Sequence, residues 1–250
     1  MSHLRDYNTS YYLELEMTSS SAAKELVPLI LNFIQPKSIV DVGCGTGIWL
    51  REWEKAGVFD YTGVDGDYIS ENQLVIPKEK FLQVNLDESV RLSRNYELVV
   101  SLEVAEHIQP EGAKNFIDLL CQAGDVVLFS AAIPGQGGLN HLNEQYPQYW
   151  AKLFEQNGFS PYDCLRERIW LNEKIHACYR QNILFYIRNA AKQHYPLITK
   201  NEKALLPIVH PLYYEDKKQE IAELKKILKN PLRIALFYAS ALWRRLPFKK

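Results

Sequence analysis

From residue 38 onward the chain keeps a rhythm that few folds can accommodate. Short β-type runs, SIVDV (38–42), YTGV (61–64), KFLQV (80–84), YELVVSL (96–102) and DVVLFSAAI (125–133), alternate with GIWLREWEKAG, a short polar stretch after Asp65, DESVRLSR and EGAKNFIDLLCQAG. Strand and helix alternating at this spacing predict a doubly wound α/β domain, a parallel sheet covered on both faces. Further on, YPQYWAKLFEQNGF reads as another helix, and SPYDCL and NILFYIRN as two more strands separated by a longer insertion. Ligands on such sheets bind outside the carboxyl ends of the strands. The chemistry is therefore sought where the strands stop.

The flanks predict helices. TSSS (18–21) offers N-cap residues before AAKELVPLILNFI, a helix bent or restarted at Pro28. The expected division is a helical cap over 1–37, a ligand-binding domain over 38–190 and a basic helical extension over 191–250. Residues 217–250 hold ten Lys/Arg against two acids, whereas residues 1–216 hold nineteen against twenty-eight. In that tail EDKKQEIAELKKILKN places Ile221, Leu224 and Leu228 on one helical face, and PLRIALFYASALWRR is apolar almost all round. Its longest uncharged run, IALFYASALW, is ten residues, too short to span a bilayer. The tail predicts peripheral membrane contact or dimerisation through residues 217–250. Four cysteines without a CxxC pair indicate neither a disulfide framework nor a zinc ribbon, and no signal peptide is discernible. A cytoplasmic location is expected, peripheral to the inner face of a membrane where the tail makes that contact.

The first strand runs into DVGCGTG, residues 41–47. Glycines at this turn permit positive φ and close approach of a ligand to the main chain. A dinucleotide fingerprint would need a third glycine where Ile48 stands, and Asp41 would repel a pyrophosphate. Asp41 suits a cationic ligand group instead, and Asp65, ending the second strand, can accept two hydrogen bonds from a ribose diol. A glycine-rich turn in some other nucleotide-binding protein is the bland alternative.

With DVGCGTG, GVDGD and YELVVSLEVAEHI in hand, the chain resembles the class I S-adenosylmethionine-dependent methyltransferases over roughly residues 20–190. The resemblance implies a mostly parallel seven-stranded, Rossmann-like sheet, with 38–190 as the cofactor-binding domain. It also implies that Gly43, Cys44 and Gly45 hold the methionyl end with Asp41 near its ammonium, that Asp65 binds the ribose, and that Asn85 and Leu86 lie by the adenine. An acid is usual where Asn85 stands; its side-chain oxygen can still accept from an adenine amino group.

SLEVAEHI (101–108) sets Glu103, Glu106 and His107 within five positions. One helical turn would present all three on a single face. Two carboxylates so close repel unless a cation joins them, and the donor set suits Mg²⁺ or Mn²⁺. His141, on a glycine-rich loop after the fifth strand, is the expected fourth ligand. This set is similar to that of the small-RNA 2′-O-methyltransferases and the ubiquinone-pathway O-methyltransferases, which implies a metal holding two adjacent acceptor oxygens. Without metal, His141 or His107 is the candidate general base, or a glutamate orients a loop while His107 caps a helix.

Tyr146, Tyr149 and Trp150, with the insertion RERIWLNEKIHACYRQN, are the candidate acceptor pocket. No basic stripe with interleaved aromatics crosses the crevice, so nucleic acid is not indicated as a partner. The chain also resembles bacterial methyltransferases of surface-glycan or natural-product assembly. The expected activity is O-methylation of a sugar or vicinal-diol small molecule, on a free or glycosyl acceptor. The alternatives are RNA 2′-O- or small-molecule N-methylation, or a catalytically silent scaffold.

Overall fold

The computed structural model of the protein describes residues 9–88, 90–200 and 204–229. The chain divides into two units, one up to Ile208 and one from Val209.

The first unit is built on strands β1 (Ser38–Val42), β2 (Asp60–Asp65), β3 (Phe81–Gln83), β4 (Leu98–Leu102), β5 (Val126–Ser130), β6 (Phe159–Tyr162) and β7 (Leu184–Arg188). They form one seven-stranded sheet in the order β3-β2-β1-β4-β5-β7-β6. All pairings are parallel except those of β7 with β5 and β6. This is the Rossmann-like sheet expected of the sequence. The chain first builds outward from β1 to β3 and then returns to place β4 on the other side of β1. That reversal opens a crevice at the carboxyl ends of β1 and β4.

The central strands are buried because both faces are covered, whereas edge strand β3 is partly exposed. Every residue of β4 and β5 is buried, as a central strand between two helical layers requires. In β7 the two layers can be told apart residue by residue: Tyr186 stacks on Phe154 at 3.8 Å between ring centroids, while its neighbour Phe185 meets Phe33 at 6.3 Å. Phe154 belongs to α4 (Pro147–Gln156), which packs beside α3 (Ala113–Ala123). In α3 the buried Ala113, Phe116, Ile117 and Leu120 recur at helical spacing. Phe33 follows α1 (Thr9–Leu31), which packs on α2 (Ile48–Lys55) and buries Ala22, Ala23, Leu26 and Ile30. Two short helices, α5 (Arg166–Ile169) and α6 (Ala177–Asn182), lie between β6 and β7, and a third, α7 (Pro196–Thr199), follows β7.

Three expectations are corrected. Helix α1 runs through TSSS and starts at Thr9. Those serines make tertiary bonds: Ser21 Oγ donates to Lys174 O at 2.6 Å, and Ser19 Oγ and Tyr179 Oη lie 3.2 Å apart. The described residues of 87–94 form no helix. Val90 and Leu92 both pack on the core, and side chains two apart share a face only in extended chain. β5 stops at Ser130 because its following residues turn to build the site.

In the second unit, α8 (Pro211–Leu228) carries Lys217, Lys218 and Lys226 paired with glutamates three positions away. Ile221, Leu224 and Leu228 are exposed. PLRIALFYASALWRR and the rest of 230–250 lie outside the described residues. No helix among the described residues is long and apolar enough to cross a membrane.

Candidate active site

The crevice has two walls. The first is the glycine loop between β1 and α2. Gly43 N and Cys44 N donate to Val64 O at 2.7 and 3.2 Å, pinning the loop to the end of β2. Gly43 has φ 84, and a Cβ there would stand 2.4 Å from Val104 Cγ2. Only glycine fits. Gly45, with φ 54, would place a Cβ with no atom within 4 Å, so its backbone faces open space.

Asp65 is buried and accepts three hydrogen bonds. Its Oδ2 accepts from Gly45 N at 2.6 Å, and its Oδ1 accepts from Gly66 N at 2.7 Å and from the Tyr68 hydroxyl. Burial raises its pKa, and these three bonds pull it back only in part. Asp41 lies deeper, with Oδ2 buried and without a hydrogen-bond partner. Burial, then the nearby Asp65, pushes its pKa up to about 8. A cationic ligand group beside it would reverse both effects.

Asn85 follows β3 at the far side of this wall. Its Oδ1 accepts from Asp87 N at 3.1 Å and its amide donates to Glu88 Oε1 at 2.8 Å, a local turn that presents an exposed side chain. Leu86 is buried in the core. It can serve a ligand only as the floor beneath it.

The second wall hangs from β4 and β5, and here the expected geometry is corrected. Glu103 has φ 56, held by its N–H donating to Ser130 O at 3.0 Å and to Ser130 Oγ at 3.1 Å. A left-handed residue interrupts a helical turn. Only Ala105–His107 coil, as a short 3₁₀ turn. Glu103 therefore does not share a helical face with Glu106 and His107, and it is not one of the ligand atoms gathered with them. Its carboxylate accepts from Gln136 Nε2 at 2.9 Å and from Asn182 Nδ2 at 3.1 Å, and Gln181 braces both amides.

The structure does bring Glu106, His107 and His141 together, each offering one ligand atom so that all lie within 4.8 Å of one another. Glu106 is 1% exposed, and neither carboxylate oxygen has a hydrogen-bond partner. Burial, and next the charge of Glu103, raises its pKa well above the usual range. His107 Nδ1 is 3.2 Å from Asn140 O. A carbonyl only accepts, so Nδ1 carries the proton and Nε2 keeps its lone pair. Burial and the neighbouring His141 lower its pKa to about 4, so the ring is neutral at pH 7. The two rings meet edge to face at 4.9 Å.

His141 is placed by the loop after β5. Leu142 N and Asn143 N donate to Glu106 O at 2.8 and 2.9 Å, clamping the loop over the 3₁₀ turn. Glu144 accepts from Gly135 N and Gly137 N at 2.7 Å each and lies 2.8 Å from His141 Nδ1. Burial works against the Glu144 carboxylate, but the bonds from His141 and the two glycines hold its pKa below the ordinary value. Gly138 leaves room for the imidazole: a Cβ there would fall 2.1 Å from His141 Nε2.

Of the acceptor-pocket residues, Trp150 is corrected to core. It is 1% exposed and packs on Phe129 at 5.6 Å. Tyr149 stands edge-on to it, half-buried, and Tyr146 is exposed at the start of α4. Sequence reasoning did not single out Glu144, Gln136, Val104 or Tyr68, and it included Asn182 only as the last residue of the acceptor-pocket insertion. Only Glu144 left a trace in the sequence, three residues after His141 in NHLNE. The others are brought in by chain segments distant in sequence or, for Tyr68, by an unremarkable turn.

A glycine-walled crevice at the switch point of this sheet, with the buried Asp65 carboxylate at its edge, is the ligand site of a doubly wound α/β enzyme. The chain belongs to the methyltransferase-domain family, whose model matches residues 16–163. It is a class I S-adenosylmethionine-dependent methyltransferase. In fold it is similar to the methyltransferase domain of bacterial CtHen1-C, at TM-score 0.51 and 19% identity over 68% of this chain and 98% of that one. It is likewise similar to an O-methyltransferase family protein from Burkholderia thailandensis, at TM-score 0.52 and 10% identity over 73% of this chain and 60% of that one. No curated protein matches the chain in sequence.

Proposed function

We propose that the chain methylates a hydroxyl on a sugar or other vicinal-diol small molecule, at the wall formed by Glu106, His107, His141 and Glu144. The observation that carries this reading is the His141–Glu144 pair beside two unpartnered Glu106 oxygens. S-adenosylmethionine supplies a methyl group on a sulfonium that needs no further activation. Gly43, Cys44 and Gly45 would hold its amino-acid end, Asp41 its ammonium and Asp65 its ribose. What the protein must then supply is an oxygen nucleophile, in line and stripped of its proton.

Two arrangements of the same residues can do that. In the first, Glu106, His107 Nε2 and His141 Nε2 hold a divalent cation. The fit is good: the carboxylate oxygens make no well-formed hydrogen bond, and both imidazoles bond through Nδ1, leaving Nε2 lone pairs. Two nitrogens beside one carboxylate favour Mn²⁺ over Mg²⁺. Such a cation would lower the pKa of a bound hydroxyl by several units. In the second arrangement, favoured by the Glu144 bond, His141 takes the proton at Nε2 and Glu144 stabilises the imidazolium. Glu103 has no ligand role in either; its braced carboxylate is free to receive acceptor hydroxyls.

The test is Mn²⁺ titration calorimetry on protein saturated with S-adenosylhomocysteine. Stoichiometric binding is expected in the wild type and in Glu103→Gln, and none in Glu106→Gln. If the wild type binds no Mn²⁺, the cation arrangement fails and the imidazole base remains. Labelled-methyl transfer into separate sugar and nucleic-acid pools then assigns the acceptor. Label in RNA alone, or in neither pool with the cofactor bound, overturns the hydroxyl-on-sugar reading.

A further inference from the structure

We infer that Tyr68 gates the ribose site, its hydroxyl competing with a ribose hydroxyl for the same oxygen of Asp65. The inference rests on Asp65 being the ribose-binding carboxylate. An ionised carboxylate offers about four lone-pair positions. Here three are taken: Gly45 N on Oδ2, and Gly66 N and Tyr68 Oη on Oδ1. A ribose diol donates two hydrogen bonds, so one position is open and a second has to be released.

Only one of the three donors can yield. Gly45 N and Gly66 N are backbone groups of the turns that shape the crevice, and withdrawing either would rebuild the loop. Tyr68 is a side chain, 61% exposed, and it can leave by rotating about its own χ angles. The turn is also shaped to admit it. A Cβ on Gly66 would lie 2.4 Å from Tyr68 Cε1 and 2.7 Å from Cδ1, so the ring crosses the glycine where no other residue would let it pass. Gly66 has no positive φ to explain it; the close approach of this ring is its structural reason. Cofactor capture then includes the exchange of one hydrogen bond for another. The tyrosine lowers affinity for every ligand that engages Asp65 through its ribose.

Two substitutions reach Tyr68 by different routes. Tyr68→Phe deletes the hydroxyl, and Gly66→Ala leaves it but pushes the ring off the carboxylate. Calorimetry with S-adenosylhomocysteine should show each variant binding more tightly than wild type, by roughly twofold to tenfold, the worth of one net hydrogen bond. The double variant should gain no more than the better single one. Competition with adenosine should show the same gain, and 2′,3′-dideoxyadenosine, with no hydroxyl to offer Asp65, should show none. Tightening is the discriminating sign, because general damage to the turn would weaken binding. Unchanged or weaker binding in Tyr68→Phe overturns the gate. Asp65→Asn separates the two premises: if it leaves S-adenosylhomocysteine affinity intact, the assignment of ribose to Asp65 fails. If it weakens binding while Tyr68→Phe does not strengthen it, only the gate fails.

Discussion

The glycine loop after β1 and the histidine loop after β5 both ride on strand ends, yet they are built by opposite means. The first is local: within residues 41–47, backbone geometry makes a surface that a ligand can touch. The second is assembled: Glu103 is braced from positions 136 and 182, and Glu106 meets an imidazole from position 141. The glycine loop depends on having no side chains at Gly43 and Gly45, the second wall on having particular ones. The difference teaches where each wall is fragile. Steric intrusion destroys a backbone surface, whereas a constellation of ionisable groups is governed by charge and protonation.

The largest effect is expected where the two walls touch. In Gly43→Ala the new methyl meets Val104 at 2.4 Å, on a backbone with φ 84. Overpacking and the left-handed penalty together cost about 2–4 kcal/mol, on the order of a hundredfold in S-adenosylhomocysteine affinity by calorimetry. Adding Val104→Ala should recover the overpacking share and leave the backbone share. Full recovery would show that φ at Gly43 matters little and would erode the distinction between the walls.

Next in size is the pH dependence of cofactor binding. With its pKa raised to about 8, Asp41 holds a proton at pH 6 and, where it meets the cofactor's ammonium as proposed, must release it. Affinity for S-adenosylhomocysteine should therefore rise roughly tenfold per pH unit from 6 toward 8 and then level off, with proton release visible in buffers of different ionisation heat. Asp41→Asn should flatten the profile. For folding the sign is opposite: more protons are bound folded than unfolded, so the contribution of Asp41 to stability declines between about pH 4 and pH 8. A flat profile in the wild type would place the ammonium elsewhere.

The smallest effect contrasts the walls by sign. Glu106 is a buried carboxylate without a hydrogen-bond partner. Glu106→Gln removes a carboxyl whose ionisation burial opposes in the folded protein while the unfolded chain ionises it freely, a cost on the order of 1 kcal/mol or more, and should raise the melting temperature in EDTA at pH 7 by about 2–4 °C. Cation binding should be lost in the same variant. A lower melting temperature would mean that the carboxylate is stabilised by neighbours and would weaken its role as a ligand.

The sequence by itself determined the architecture and one wall. Apolar runs of strand length separated by helix-period segments leave a doubly wound sheet as the way to bury both faces, and all seven strands form where such runs stand. DVGCGTG marks the glycine turn after β1 because positive φ is a property of glycine itself, independent of what surrounds it. Where local and tertiary preferences competed, the tertiary structure decided. The serines of TSSS became partners of Tyr179 and Lys174 instead of helix caps, and Val90 and Leu92 chose the core over a helix. Trp150 joined the aromatic cluster around Phe129 and left the acceptor pocket. The second wall was legible only as a list of residue types. ExxEH spacing presumes a helical turn, and one left-handed residue, Glu103, held to Ser130 of the neighbouring strand, turned its side chain toward a different set of partners. Spacing along a chain predicts contacts only within one regular element; groups brought together from separate elements are set by how those elements pack.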